Sequence, residues 1–147
     1  MYSLEEFDEA KTKVLKYIVY KKRTENEVRQ KFQNVIEGDM LEDVIDYLKD
    51  AKYLDDRDYI NRAVNNFMAL KNLSIKELKY KLMAKGLNKD LLDDYFYENK
   101  EDLILYEIKS AMNVIEKKKR EMEEFEIKNY LIKKGYKLEN IKVAFEQ

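Results

Sequence analysis

An internal repeat with a period of about 50 residues constrains the fold of this chain more than any other feature. The repeated pattern occurs in TENEVRQKF (24–32), SIKELKYKL (74–82) and EEFEIKNYL (123–131), whose starts lie 50 and 49 residues apart. In each stretch a glutamate stands three residues after the first position, and apolar residues stand directly after the glutamate and four places further on. Such a period is typical of stacked supersecondary units, each covering an apolar face of its neighbour.

Each repeated stretch lies between two further amphipathic segments. In the segment before the first stretch, apolar residues such as Ala10, Val14 and Ile18 are spaced by four, which is the spacing of a helix with one buried face. After the stretch, residues 82–96 and 131–145 place a glycine, an aliphatic residue and a phenylalanine alike. The pattern therefore predicts three helices in each unit.

The predicted repeats are residues 1–54, 55–100 and 101–147. Composition supports this prediction, because the 147 residues include no proline and only three glycines, so turn and strand signals are scarce. We expect an all-α protein of about nine helices, arranged as three tandem three-helix repeats in an elongated, curved array. In such an array the functional residues lie on an extended surface rather than in a deep pocket.

Capping residues mark the ends of the middle helix of each unit. Thr24 and Ser74 each have a glutamate three residues later, which is the pattern of a capping box at a helix start. Gly86 and Gly135 come where the middle helices of the second and third units should end, and glycine suits the left-handed position just past a helix end.

Three aspartates in KYLDDRDYI (52–60) have two interpretations, as catalytic or metal-binding carboxylates or as helix caps. Asp55 directly precedes the helix expected from Asp56, so it suits the N-cap position, and Asp58 then occupies the third helical position. Leu54 and Tyr59 fall at the two positions of a hydrophobic staple. Adjacent side chains do not share a helix face, which argues against a metal site. We therefore predict that these aspartates are structural caps.

Several classes of site are missing from the sequence. With no histidine and no cysteine, the usual zinc and haem ligand sets, thiol catalysis and histidine-based triads are excluded. Most familiar enzyme chemistries are thereby lost, and no cofactor or metal is expected. No apolar run approaches the roughly 20 residues that span a bilayer, and the first ten residues are acidic, so a cytoplasmic protein without membrane contact is expected.

Charge gives no general argument for nucleic-acid binding, because 29 basic residues are balanced by 30 acidic ones. Basic residues exceed acidic ones only in residues 57–100, by 9 to 6. A helical wheel of residues 74–86 places apolar side chains on one face and Lys76, Lys79, Tyr80 and Met83 on the other. This outer face is either a surface for a phosphate-rich partner or an ordinary solvated face.

Four stretches in order resemble the RecX family of bacterial recombinase regulators. They are KKRTENEVRQKF (21–32), YLDDRDYINRAV (53–64), LSIKELKYKLMAKGL (73–87) and YLIKKGYKLENI (130–141), and the resemblance extends from about residue 10 to residue 145. Lys52 stands where the family usually has a glycine, and the turn before the fifth helix is KNLS (71–74) instead of a turn rich in glycine with a proline.

The resemblance implies a partner and an action. RecX proteins modulate the RecA recombinase, lying along the helical groove of the RecA filament on single-stranded DNA and curbing its ATPase and strand exchange. RecX proteins carry no catalytic machinery of their own, so the resemblance also implies a non-enzymatic protein. We therefore expect the RecA filament as partner, single-stranded DNA contacted mainly through the filament, and a monomeric protein. The alternative is a helical-repeat scaffold that binds another protein or an RNA.

The candidate surface consists of basic side chains in the first two predicted repeats. Arg23 and Arg29 match basic positions of the family, and Lys85 with Gly86 matches the pair that ends the family's next helix. The candidate partner-binding or DNA-binding residues are Arg23, Arg29, Lys31, Arg57, Arg62, Lys76, Lys79 and Lys85.

Overall fold

A computed structural model describes residues 1–147, and it contains nine α-helices and no strand. The predicted all-α fold is confirmed, and the helices fall three to each repeat. None of the nine helices combines the length and the apolar content needed to cross a membrane. The helices are α1 (Leu4–Tyr20), α2 (Glu25–Phe32), α3 (Gly38–Asp50), α4 (Asp56–Leu70), α5 (Ile75–Met83), α6 (Lys89–Glu98), α7 (Lys100–Lys118), α8 (Glu124–Lys133) and α9 (Leu138–Glu146).

The chain forms two compact units, and the first comprises Met1–Tyr59 together with Lys85–Leu87. Its core lies between the apolar stripes of α1 and α3, and α2 covers one side. Val14, Val44, Ile45 and Leu48 have no solvent exposure. Residues from all three helices and from the turn after α3 complete the cluster: Ala10, Ile18, Val28, Phe32, Ile36, Leu41 and Leu54.

The turn after α3 has a left-handed residue that is not glycine. Lys52 has φ +69°, and the two hydrogen bonds of a Schellman motif surround it. The N–H of Tyr53 donates to the carbonyl of Leu48 at 2.8 Å, and the N–H of Lys52 donates to that of Lys49 at 3.0 Å. Lysine thus occupies a backbone position at which glycine is the residue without steric cost.

The second unit comprises Ile60–Ala84 together with Asn88–Gln147, and α7 and α9 form its most extensive helix pair. Ala111, Ile127, Leu131 and Ile141 are almost completely buried there. Tyr136 is buried beside them, and its hydroxyl lies 2.7 Å from that of Ser110. Burial raises the pKa of Tyr136 to about 12, so the phenol stays protonated and hydrogen-bonded at neutral pH.

A tyrosine of α7 holds the KNLS turn between α4 and α5. The hydroxyl of Tyr106 accepts the N–H of Leu73 at 2.9 Å and donates to the carbonyl of Lys71 at 2.5 Å. In addition, the amide of Asn113 donates to that of Asn72 at 3.0 Å. Side-chain hydrogen bonds therefore fix a turn that contains neither glycine nor proline.

Candidate functional site

The start of α2 is a capping box that also binds a distant turn. The N–H of Glu27 donates to the Thr24 hydroxyl oxygen at 3.0 Å, and the N–H of Thr24 donates to the Glu27 carboxylate at 3.0 Å. Thr24 is completely buried, and its hydroxyl donates to the carbonyl of Lys85, 61 residues later, at 3.5 Å. The adjacent Gly86 is left-handed with φ +75°, and a Cβ there would overlap the Asn26 side chain.

The start of α5 repeats this arrangement in the second unit. Ser74 is completely buried, its hydroxyl oxygen accepts the N–H of Glu77 at 3.0 Å, and the hydroxyl donates to the carbonyl of Lys134 at 2.7 Å. Gly135 is left-handed with φ +96°, and a Cβ there would lie 3.0 Å from carbons of Lys76. Each hydroxyl therefore serves its own helix and the Lys-Gly turn of the following repeat.

The three aspartates of residues 52–60 lie at the start of α4. The N–H of Asp58 donates to the Asp55 carboxylate at 3.1 Å, so Asp55 caps the helix that begins at Asp56. Leu54 is buried. The carboxylate of Asp56 accepts the N–H of Glu25 at 3.0 Å, at the start of α2. No group of three or more acidic residues is arranged to hold a metal ion.

The Glu107 carboxylate accepts a backbone N–H at the start of a distant helix in the second unit, as Asp56 does in the first. The buried Glu107 carboxylate accepts the N–H of Ile75 at 2.8 Å, at the start of α5, and that of Lys137 at 3.3 Å. The side-chain amide of Asn140 donates to the same carboxylate. The sequence analysis predicted Asp56 only as a cap at the start of its own helix and assigned Glu107 no role, whereas each acid binds a helix that starts 31 or 32 residues earlier.

Two of the candidate arginines are largely engaged within the first unit. Arg23 lies with its guanidinium 4.2 Å from the centre of the Tyr17 ring and 3.7 Å from the Glu27 carboxylate, and its buried Nε has no hydrogen-bond partner. Arg29 donates to both carboxylate oxygens of Glu42, at 2.8 and 2.9 Å. These hydrogen bonds hold the pKa of Glu42 below its ordinary value. Both arginines therefore contribute to the fold.

The remaining candidates of the first unit are Lys31, Arg57 and Lys85. Lys31 approaches the Tyr17 ring, at 5.7 Å from its centre, so the ring carries two basic groups. Arg57 and Lys85 are exposed. The carbonyl of Lys85 accepts the Thr24 hydroxyl, and its ammonium group belongs to no ion pair.

The candidates of the second unit differ in their electrostatic surroundings. Lys79 forms an ion pair with Asp93 at 2.6 Å, and hydrogen bonds from Lys79 and Lys89 keep the pKa of Asp93 below its ordinary value. The charge of Lys79 is therefore partly compensated inside the molecule. Arg62 and Lys76 are exposed, and Lys76 lies beside the turn after α8. The outer face of α5 predicted from the helical wheel thus contains one paired and one unpaired lysine.

Comparisons with known proteins identify relatives that share one name. The chain is 30% identical over 155 residues to regulatory protein RecX of Staphylococcus epidermidis, which covers the whole chain and 58% of that relative. Regulatory protein RecX of Finegoldia magna is also 30% identical, over 91% of the chain and 69% of the relative. The chain thus spans little more than half the length of the staphylococcal relative. No protein-family model matches the chain.

Solved structures agree on the fold. The crystal structure of RecX from Lactobacillus salivarius matches with a TM-score of 0.80 at 20% identity, over 98% of this chain and 97% of that chain. A second crystal structure of regulatory protein RecX matches with a TM-score of 0.79, over 97% of this chain and 74% of that one. Because the sequence identity to the named relatives extends along nearly the entire chain, this chain belongs to the RecX family of regulatory proteins.

Proposed function

We propose that this protein binds the RecA recombinase filament on single-stranded DNA and lowers its ATPase and strand-exchange activities. The observation that carries the proposal is the 30% identity, over the whole chain, to a protein named regulatory protein RecX. The helical-repeat architecture supports it, because such arrays present extended surfaces to large partners. The protein contacts DNA mainly through the filament and acts as a monomer.

Unpaired lysines are the preferred contacts within the candidate surface. Lys76 and Lys85 are exposed and take no part in an ion pair, whereas the charge of Lys79 is partly offset by Asp93. A partner's acidic or phosphate groups gain more from a charge that no carboxylate has already compensated. Lys76 and Lys85 therefore contribute more to filament binding than Lys79 does.

The ATPase of a RecA filament on single-stranded DNA tests this function. Increasing protein should lower hydrolysis and strand exchange, and filaments should change length in electron micrographs. The Lys76→Glu/Lys85→Glu variant should lose this inhibition, whereas the matched Lys109→Glu/Lys117→Glu variant, changed at two exposed positions of α7, should keep it. Unchanged hydrolysis, strand exchange and filament length at saturating wild-type protein would contradict the proposal.

A destabilised variant separates lost folding from a lost surface. Asp55→Ala removes the N-cap of α4 and should cost about 0.5–2 kcal/mol of unfolding free energy. Its inhibition should decline only as far as the folded fraction declines. If Asp55→Ala loses inhibition while fully folded, as judged by helical circular dichroism, the aspartate cluster has a direct function and the cap assignment is incomplete.

A further inference from the structure

A shallow groove of about 380 Å³ lies within the second unit, between α5 and the end of α8. Its lining includes the left-handed Gly135, whose backbone approaches the stem of Lys76 so closely that a Cβ would lie 3.0 Å from it. The turn after α8 therefore sets the width of the groove at this point. The side chains around it are Lys76, Glu77, Tyr80, Lys81, Ile132, Lys133 and Lys134.

Positive charge dominates this groove, because four lysines line it against a single glutamate. The Glu77 carboxylate is already engaged, since it accepts the N–H of Ser74 at 3.1 Å in the capping box. None of the four lysines belongs to an ion pair. The Lys134 ammonium lies 5.7 Å from the Tyr130 ring centre, and that of Lys81 lies 5.9 Å from the Phe67 ring centre. The groove thus holds a positive charge that the protein itself does not compensate.

An aromatic ring and an aliphatic side chain border the same groove. Tyr80 is 73% exposed and Ile132 is 42% exposed, and no other ring of the protein stacks on Tyr80. The face of the Tyr80 ring is therefore open to a partner that enters the groove. A ligand for the groove therefore offers a flat apolar face as well as several negative charges.

We propose that this groove binds single-stranded nucleic acid, with phosphates among the lysines and one base on the Tyr80 ring. Lysine ammonium groups bind phosphates as point charges, and an unpaired base stacks on an exposed aromatic ring. A duplex keeps its bases stacked inside, so it meets only the lysines. An acidic peptide likewise uses the lysines and leaves the ring in water. This inference rests on the proposed function, because the RecA filament supplies the single strand that reaches the groove.

Fluorescence anisotropy of a labelled oligothymidylate, without recombinase, measures this binding directly. Lys76→Gln/Lys133→Gln should weaken binding at least about tenfold and reduce the slope of log affinity against log salt by about 1.4, since each lost phosphate contact contributes about 0.7. Tyr80→Ala should weaken binding by roughly 5-fold to 100-fold and leave the slope unchanged. The matched controls are Lys109→Gln/Lys117→Gln and Tyr97→Ala, at exposed positions outside the groove. Both should bind within about twofold of the wild type, as expected for contacts outside the site.

Three results would overturn the groove. They are wild-type affinity in both groove variants, an equal loss in the lysine control, and displacement of the strand by polyglutamate as effectively as by unlabelled oligothymidylate. Competition by thymidine monophosphate at the same molar concentration would also overturn the strand assignment, because it would identify a free-nucleotide site. Recombinase assays keep the two proposals apart. A wild-type protein that binds the strand through the groove and leaves the RecA ATPase unchanged supports the groove and contradicts the proposed function.

Discussion

The carboxylate of Glu107 accepts a hydrogen bond from the backbone N–H of Ile75 at 2.8 Å, although the two residues lie 32 positions apart. Ile75 is the first residue of α5, and the first N–H groups of a helix have no partner within the helix. Together with the Ser74 hydroxyl, which takes the N–H of Glu77, this carboxylate satisfies the start of α5 from outside. The same acid also accepts the N–H of Lys137 beside α9, so it ties two helix starts to α7.

Glu107→Ala should lower the free energy of unfolding by at least about 2 kcal/mol, because it leaves the part-buried N–H groups of Ile75 and Lys137 and the buried side-chain amide of Asn140 without an acceptor. Urea denaturation followed by circular dichroism measures the effect. Glu121→Ala, at an exposed position, is the control and should stay within about 0.5 kcal/mol of the wild type. Equal midpoints for the two variants would show that water replaces the carboxylate at no cost.

Lys52→Gly should stabilise the protein by about 1 kcal/mol, because glycine adopts φ +69° without the steric cost that a Cβ brings. Lys52→Ala is the matched control. It keeps a Cβ and removes the same charge, so its stability should stay close to that of the wild type. A gain for alanine as large as that for glycine would assign the effect to the lysine charge and not to the backbone.

Gly135→Ala should destabilise the second unit by about 1–2 kcal/mol, since φ is +96° and the new Cβ would lie 3.0 Å from Lys76 and 3.3 Å from the Ser74 hydroxyl oxygen. Gly38→Ala provides the opposite case. Gly38 begins α3 and has no atom within 4 Å of a built Cβ, so alanine there should stabilise by about 0.4–1 kcal/mol. Thermal and urea unfolding of the two variants should therefore shift in opposite directions, and shifts of the same sign would contradict this assignment.

Asp56→Asn should change how stability depends on pH. Burial raises the pKa of Asp56 above its ordinary value, so the folded protein binds this proton more tightly than the unfolded chain. The contribution of Asp56 to stability therefore falls as pH rises from the ordinary aspartate pKa through the raised one. Asparagine keeps an oxygen for the Glu25 N–H and does not titrate. The stability of Asp56→Asn relative to wild type should rise across that interval, and a constant difference would contradict the raised pKa.

The sequence was sufficient for features that depend on neighbouring residues. The Thr24 and Ser74 capping boxes follow from a hydroxyl residue with a glutamate three positions later, and the nine helices follow from apolar spacing and the 50-residue repeat. Helix starts and repeat periods are local patterns, so a single sequence displays them.

Contacts between distant segments were not predictable in this way. Asp56 was interpreted only as part of its own helix start, and Glu107 had no assigned role, because no spacing rule links either acid to a helix 31 or 32 residues earlier. The pairing of Lys79 with Asp93 was missed as well, since it depends on how α6 packs on α5. Lys133 and Lys134 join the groove of Lys76 only through the turn at Gly135.

The Ser74 hydroxyl has a consequence for how the second unit opens. It accepts the N–H of Glu77 and donates to the carbonyl of Lys134, 60 residues later. When the end of α8 frays, the hydroxyl loses its acceptor, and with it one restraint on the orientation in which its oxygen accepts the N–H of Glu77. The amide of Glu77 should therefore exchange with deuterium at the rate of the turn around Lys134, so that two segments far apart in the chain behave as one cooperative unit.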